Sequence, residues 1–133
     1  MRQTEQNVSP MSNEGRNAYV IQHLTDAFLS LFSQKPINDI SISELVETAG
    51  VGRASFYRNY ESKEDILKAY LNERFLEVKD EWAKNSGAPL SEQVRIMINH
   101  FEKHRSFYQL LNDRGQTYML KDVIIDLCGP KPE

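Results

Sequence analysis

The stretch SISELVETAGVGRASFYRNY, residues Ser41 to Tyr60, decides the fold of this chain. Ser41 and Glu44 form a capping-box pattern, in which each side chain accepts a hydrogen bond from the other residue's backbone N–H, and it predicts a helix start. Gly50 is placed to end that short helix, because a residue without a β-carbon adopts the left-handed backbone conformation at little cost. A second short helix is predicted from Arg53 to Asn59, where no helix breaker occurs.

Two short helices joined by a tight glycine turn have the geometry of a helix-turn-helix, whose second helix enters the major groove of duplex DNA. The net charge of −3 argues mildly against nucleic-acid binding, because phosphate contacts usually require a basic surface. The charge is positive locally, however. From Gly50 to Lys63 the sequence contains three cationic residues (Arg53, Arg58 and Lys63) and one anionic residue, Glu61.

Apolar residues recur at three- and four-residue steps along most of the remaining chain, which is the period of an α-helix. The predicted helical segments are Arg16 to about Gln34, about Lys63 to Lys84, residues 90–101, residues 107–111 and Tyr118 to Leu127. The last segment contains β-branched residues that also suit a strand, and we favour a helix. The predicted fold class is all-α, with a three-helix DNA-binding head followed by a helical C-terminal domain.

The composition excludes several other classes of protein. A single cysteine, Cys128, excludes an internal disulfide and provides no cysteine pair for a structural zinc site. No stretch has the length and apolar character of a signal peptide or of a membrane span, so we expect a cytoplasmic protein without membrane contact. Residues 1–15 are polar and lack an apolar period, which predicts a disordered arm. Because no phosphate loop or nucleophile motif occurs, we expect neither an enzyme nor a bound cofactor.

The segment ISELVETAGV (Ile42 to Val51) and the residues that follow it resemble the tetracycline-repressor-like (TetR/AcrR) family of regulators. The further matching residues are Ser55, Phe56, Tyr57, Tyr60, Ser62, Lys63, Glu64, Ile66 and Leu67. The resemblance implies a DNA-binding head over residues 16–62 and a regulatory domain over residues 63–133, shorter than is usual in the family. It also implies a transcriptional repressor that a small ligand releases from DNA. Gly52 departs from the family pattern, because it stands where a serine usually caps the recognition helix.

The predicted DNA-binding residues lie at the start of the first helix of the helix-turn-helix, along its second helix and just after it. Arg53 offers the planar fork that pairs with the O6 and N7 atoms of guanine, and we predict that it reads a base. The short polar side chains suit base edges or phosphates, and the resemblance implies that Tyr57 and Lys63 hold the DNA backbone. The full predicted set is Ser41, Ser43, Arg53, Ser55, Tyr57, Asn59 and Lys63. Two alternatives stay open: Tyr57 covers the core instead, and Arg58, outside the set, is a solvated charge.

The resemblance also implies a ligand pocket in the helices that follow the long fourth one. The candidate lining residues are Tyr70, Phe75, Trp82, Met97, Phe101, Phe107 and Tyr108, which would equally form an ordinary core. His100 and His104 lie one helical turn apart and would suit a shared metal ion. We favour a chance pair on a solvated helix and predict no metal site.

The expected partner is double-stranded DNA with a near-palindromic operator, bound by a homodimer. A small apolar molecule is the expected effector. The resemblance places the dimer-forming helices at the end of the chain, where this sequence is short. The alternative is therefore a truncated interaction module that associates with a related regulator and does not bind DNA alone.

Overall fold

The computed structural model describes residues 13–128 as seven α-helices and one 3₁₀ turn, without a β-strand in that range. The helices are α1 (Asn13–Phe32), α2 (Ile42–Ala49), α3 (Arg53–Asn59), α4 (Lys63–Lys84), α5 (Leu90–Lys103), α6 (Arg105–Asp113) and α7 (Tyr118–Cys128). The predicted all-α fold is confirmed, and the last segment is a helix. Within the described range, no helix combines the length and the apolar character needed to cross a membrane.

The first helix differs from its prediction at both ends. It begins at Asn13, inside the arm expected over residues 1–15, while residues 1–12 lie outside the described part. It ends at Phe32, two residues early, where the Gln34 N–H bonds the Leu31 carbonyl at 2.9 Å and tightens the last turn before Pro36 stops helical continuation. A 3₁₀ turn over Ile37–Asp39, which the sequence reasoning missed, follows at once and buries Ile37.

One continuous apolar core joins the head to the C-terminal helices. In the head, Phe28 of α1, Leu45 of α2 and Phe56 of α3 are fully buried against one another's helices. The same cluster continues through α4 and reaches Leu111 of α6 and Val123 of α7. Helix α4 contributes core residues to both halves. The domain boundary proposed from the sequence at residues 62/63 therefore falls at the start of this shared helix.

The glycine turn between α2 and α3 has the predicted left-handed conformation. Gly50 has φ 73°, and its N–H bonds the Glu47 carbonyl at 3.2 Å. The Val51 N–H bonds the Val46 carbonyl at 3.1 Å, so the two bonds form a Schellman motif that ends α2 and fixes the start of α3. The predicted role of Gly50 as helix terminator is therefore confirmed.

The capping box predicted at the start of α2 is only half formed. The Ser41 hydroxyl accepts a hydrogen bond from the Glu44 N–H at 3.0 Å, as expected. The Glu44 carboxylate does not return the bond, because the Lys35 ammonium donates to its two oxygens at 2.6 and 2.8 Å. At the start of α4 the Asp65 carboxylate does accept from the backbone, with the Ser62 N–H at 3.2 Å.

Two polar contacts hold the C-terminal helices in place. The Trp82 indole N–H donates to the Gln93 carbonyl at 3.1 Å and ties the end of α4 to α5. The Arg114 guanidinium, at the end of α6, donates to the carbonyls of Phe32 and Ser33 at 2.9 and 3.0 Å. A cation there satisfies the unpaired carbonyls at the end of α1, so α6 is fastened to the head.

Candidate nucleic-acid interface

The outward face of α3 carries two arginines and a tyrosine. Arg53, Ala54, Tyr57 and Arg58 are exposed, whereas Phe56 on the opposite side is fully buried. Tyr57 is 53% exposed, and its ring also meets the buried Phe56 ring edge-on at 5.0 Å, so both alternatives for this residue stay open. The 100° spacing of helical residues places Arg58 beside this face, a signal the sequence already contained.

Arg53 is linked to α2 across the glycine turn. Its Nη2 donates a hydrogen bond to the Ser43 hydroxyl, so the structure brings together two predicted DNA-binding residues from different helices. Both residues are exposed, and a guanidinium has five N–H groups, so most of its donors remain available for an external acceptor. The contact holds the guanidinium of Arg53 at the edge shared by α2 and α3.

Lys63 lies at the N-terminal end of α2 although it belongs to α4. Its ammonium donates to the Ile40 carbonyl at 2.6 Å, immediately before Ser41. The lysine is half-buried, so its side chain is held by the protein and does not extend into solvent. The positive end of the α2 dipole and the ammonium are therefore adjacent, which is a suitable arrangement for a phosphate group.

Ser55 and Asn59 lie on a different side of α3 from Arg53. Both are half-buried, and the Asn59 amide donates to the Ser55 carbonyl at 3.0 Å. They line a groove that α1 borders through Asn17 and Val20. Their contact with DNA stays a prediction, since the structure does not place them on the outward face.

The first turn of α3 has no side-chain cap. Gly52 occupies the cap position with φ −84° and provides no hydroxyl or carboxylate, as its departure from the family pattern predicted. The Ser55 and Phe56 N–H groups bond the Gly52 carbonyl at 3.1 and 3.2 Å. The start of the helix is therefore held by the backbone alone and lies open beside Arg53.

The family model for bacterial regulatory proteins of the tetR family matches residues 24–70, which include the whole helix-turn-helix. The matched helix-turn-helix segment therefore resembles that of the tetR family. The chain is 33% identical to the HTH-type transcriptional regulator AcrR of Shigella flexneri over 88 residues, which are 61% of this chain and 40% of that protein.

The other two relatives are also named as transcriptional regulators, and none of the three is named as an enzyme. The dhaKLM operon transcriptional activator DhaS of Lactococcus lactis is 22% identical over 86 residues, 65% of this chain and 45% of the relative. The uncharacterized HTH-type transcriptional regulator YxbF of Bacillus subtilis is 27% identical over 106 residues, 74% and 28% respectively. The chain thus spans less than half the length of each relative. No solved structure matches it.

The aromatic residues predicted to line a ligand pocket mostly pack on one another. Phe75 is buried, and its ring lies 5.8 Å from Phe101 and 6.2 Å from Tyr108. The Phe107 ring lies 5.0 Å from Tyr70 and 5.3 Å from Tyr108. These five rings form a connected cluster between α4, α5 and α6, which favours the core alternative for them.

Only part of the predicted pocket set borders open space. Phe101 and Tyr108 line a groove of about 710 Å³ whose other lining residues are mostly polar. Met97 packs against the core, and Trp82 is engaged with α5. Of the seven predicted residues, therefore, two face a groove that could receive a molecule, and a ligand role for the set stays a prediction.

His100 contradicts the expectation of a solvated histidine pair. The His100 side chain is only 3% exposed, and its Nε2 lies 2.8 Å from the Tyr108 hydroxyl. His104 Nε2 lies 3.2 Å from Oε1 of Glu77, a residue of α4 that the sequence reasoning did not connect with the pair. Burial lowers the pKa of His100 and raises that of Tyr108, so both groups are neutral near pH 7. The cluster lies in the half of the chain outside the matched head.

Proposed function

We propose that this chain is a sequence-specific DNA-binding transcriptional regulator that reads duplex DNA with the outward face of α3. The observation that carries the proposal is the exposed group of Arg53, Tyr57 and Arg58 on a helix held across α2 by the Gly50 turn. This group lies within the matched residues 24–70. All three relatives are named as transcriptional regulators of the helix-turn-helix type.

The proposed contacts divide into base reading and backbone binding. Arg53 reads a guanine, because its guanidinium is exposed and held in position by Ser43. Tyr57 contacts the DNA backbone with its exposed hydroxyl. Ser41 and Lys63 bind one phosphate at the start of α2, where the helix dipole and the ammonium reinforce each other. Arg58 adds a charge that attracts the backbone.

We further propose that the regulator acts as a homodimeric repressor in the cytoplasm. Two copies of α3 would enter successive major grooves about 34 Å apart, which requires a near-palindromic operator. A small ligand would end repression from the C-terminal domain, residues 63–133, and the groove beside Phe101 and Tyr108 supports such a ligand. Repression, rather than activation, is part of this proposal, since DhaS is named as a transcriptional activator.

The first test is a selection of binding sites from random duplexes at near-physiological salt. The wild-type chain should enrich a two-fold symmetric site, and the Arg53→Ala, Tyr57→Ala double variant should enrich none. The matched control is the Arg105→Ala, Tyr118→Ala variant, which removes the same residue types from exposed positions outside the head. No enrichment by the wild-type chain would overturn the proposal and favour the interaction module. Enrichment that survives in the first variant would place recognition elsewhere.

Quantitative binding measurements also distinguish base reading by Arg53 from backbone binding by Lys63. Arg53→Ala should cost about 1–3 kcal/mol of binding free energy and relax the preference at one base pair. Lys63→Ala should weaken all sequences alike and reduce the slope of log K against log salt by about 1. Lys79→Ala, which removes an exposed charge distant from the head, is the control and should change neither quantity. Equal losses on all sequences from the Arg53 and Lys63 variants would contradict the division of roles.

A further inference from the structure

Three potential metal ligands, from α4 and from the C-terminal end of α5, converge in one place. They are Oε1 of Glu77 on α4 and one ring nitrogen each from His100 and His104, and all three atoms lie within 4.8 Å of one another. The carboxylate oxygen is 3.6 Å from His100 Nδ1 and 3.2 Å from His104 Nε2. His104 caps the C-terminal end of α5 four residues after His100, and the two ring centroids lie 4.8 Å apart.

The buried nitrogen of His100 has no hydrogen-bond partner. Nδ1 is enclosed, with its side chain 97% buried, and the 3.6 Å to Glu77 Oε1 exceeds a hydrogen-bond distance. A buried polar atom without a partner costs about 1–3 kcal/mol, so such atoms are rare and require an explanation. This one points at a carboxylate and a second imidazole, which are the other two ligand types of a histidine-carboxylate metal site.

The distances suit a small tetrahedral ion. Zinc lies about 2.0–2.2 Å from nitrogen and oxygen ligands, which places tetrahedral ligands about 3.4 Å apart. The two distances from Glu77 to the histidines, 3.2 and 3.6 Å, already match that separation. The remaining edge joins the two imidazoles, and His104 is the more exposed of the two rings, so it has the greater freedom to move toward the other ligands.

The surroundings of His100 match the outer shell of a metal-bound histidine. A ligating imidazole usually donates its other N–H to an oxygen, which fixes the ring. Here the Tyr108 hydroxyl lies 2.8 Å from Nε2 and can accept that bond, leaving Nδ1 as the ligand atom. His100 and Glu77 also line a groove of about 640 Å³, through which an ion and a fourth ligand from solvent can enter.

We propose that Glu77, His100 and His104 bind a divalent transition-metal ion, with Zn²⁺ as the best match to two imidazoles and one carboxylate. Lys103 is the competing cation, because its ammonium lies 3.6 Å from the same Glu77 oxygen. Its side chain is 68% exposed and free to turn away when the ion enters. The site does not depend on DNA binding, since none of its residues belongs to the matched segment.

The test is metal titration of the full chain, prepared without a polyhistidine tag and with Cys128→Ser to remove an additional thiolate. Zn²⁺ affinity is measured by competition with a chromophoric chelator, and Co²⁺ coordination by its visible absorption. We expect one ion per chain. Glu77→Gln and His104→Gln should each weaken binding by more than about tenfold, because loss of an outer-shell partner alone costs that much. Both side chains are partly exposed, so these variants should fold, as circular dichroism will verify.

Two control variants distinguish this site from adventitious binding. Lys103→Gln should bind Zn²⁺ at least as tightly as the wild type, because the competing ammonium is removed. His23→Gln removes the remaining histidine, on α1, and should leave the affinity unchanged. Zinc-induced ¹⁵N shifts should appear at Nδ1 of His100 and Nε2 of His104. The proposal is overturned if no ion binds, if binding is the same in Glu77→Gln and His104→Gln, or if the shifts occur at His23.

Discussion

The head and the C-terminal half of this chain place their polar side chains in opposite directions. In the head the helices enclose apolar side chains such as Phe28, Leu45 and Phe56, and Arg53 and Tyr57 face outward. In the C-terminal half the helices enclose His100, which is the buried polar residue of the described range. A surface of outward polar groups suits a large partner such as a duplex, whereas an inward cluster suits a small ligand or an ion.

The largest expected effect comes from opening the apolar core of the head. Phe56→Ala removes a fully buried ring and should lower the free energy of unfolding by about 3–5 kcal/mol. Because the core is continuous, unfolding should remain a single transition, measured in urea by circular dichroism and by the fluorescence of Trp82 in the other half. Tyr57→Ala next to it should change stability by less than about 0.5 kcal/mol. Two separate transitions would show that the halves unfold independently.

The next effect tests the glycine turn, on which the orientation of α3 depends. A β-carbon added at Gly50 or at Gly52 meets no atom within 4 Å, so the two sites differ chiefly in backbone conformation, φ 73° against φ −84°. Gly50→Ser should cost about 1–2 kcal/mol, because left-handed backbone strains a residue with a β-carbon. Gly52→Ser should gain a few tenths of a kcal/mol by capping α3. Equal changes in urea midpoint would contradict this account.

The sequence predicted the head in detail because its signals are local. Gly50, the Ser41 cap and the apolar spacing around Phe56 act through residues a few positions apart, and the family resemblance covers the same segment. The half-formed box at α2 shows the limit of such reasoning. Glu44 pairs with Lys35, nine residues earlier, and the capping-box pattern does not reveal that this lysine competes for the carboxylate.

The C-terminal site could not be predicted from spacing because its parts are distant in the sequence. Glu77 is 27 residues from His104, and only the packing of α4 against α5 brings them to 3.2 Å. Burial of His100 was also hidden, since a histidine at that position fits a solvated face equally well. Five of the aromatic candidates pack on one another, and spacing alone did not distinguish such a packed cluster from a pocket wall.

The inward cluster should make stability depend on pH. Burial, and to a smaller extent the charge of His104, lowers the pKa of His100 in the folded chain, while Glu77 opposes the shift; Lys103 and Tyr108 complete its surroundings. The unfolded histidine takes up its proton near pH 6.5, so the unfolded state binds more protons below that pH. Stability should therefore fall as the pH drops through about 6.5, by at most about 1.4 kcal/mol per pH unit.

Urea unfolding between pH 5 and 8, with a metal chelator present, measures this dependence. In the His100→Gln variant, or in another conservative replacement of His100 that folds, the free energy of unfolding should decline less between pH 7 and pH 6. The head buries no titratable side chain among its described core residues, so the dependence in this range is expected to come from His100. A wild-type curve that is flat in this range would show that His100 accepts its proton in the folded state without cost.

The smallest expected effect concerns the Lys35–Glu44 ion pair at the entrance to α2. Its side chains are 32% and 37% exposed, and pairs of this kind contribute about 0–1 kcal/mol. Lys35→Met should cost even less, because the freed Glu44 carboxylate can turn to the Ser41 N–H and complete the capping box. Glu44→Ala removes both roles and should cost about 1 kcal/mol. A double-mutant cycle with urea unfolding separates the two, and a large, salt-independent coupling would mean that the pair, rather than the cap, fixes the start of α2.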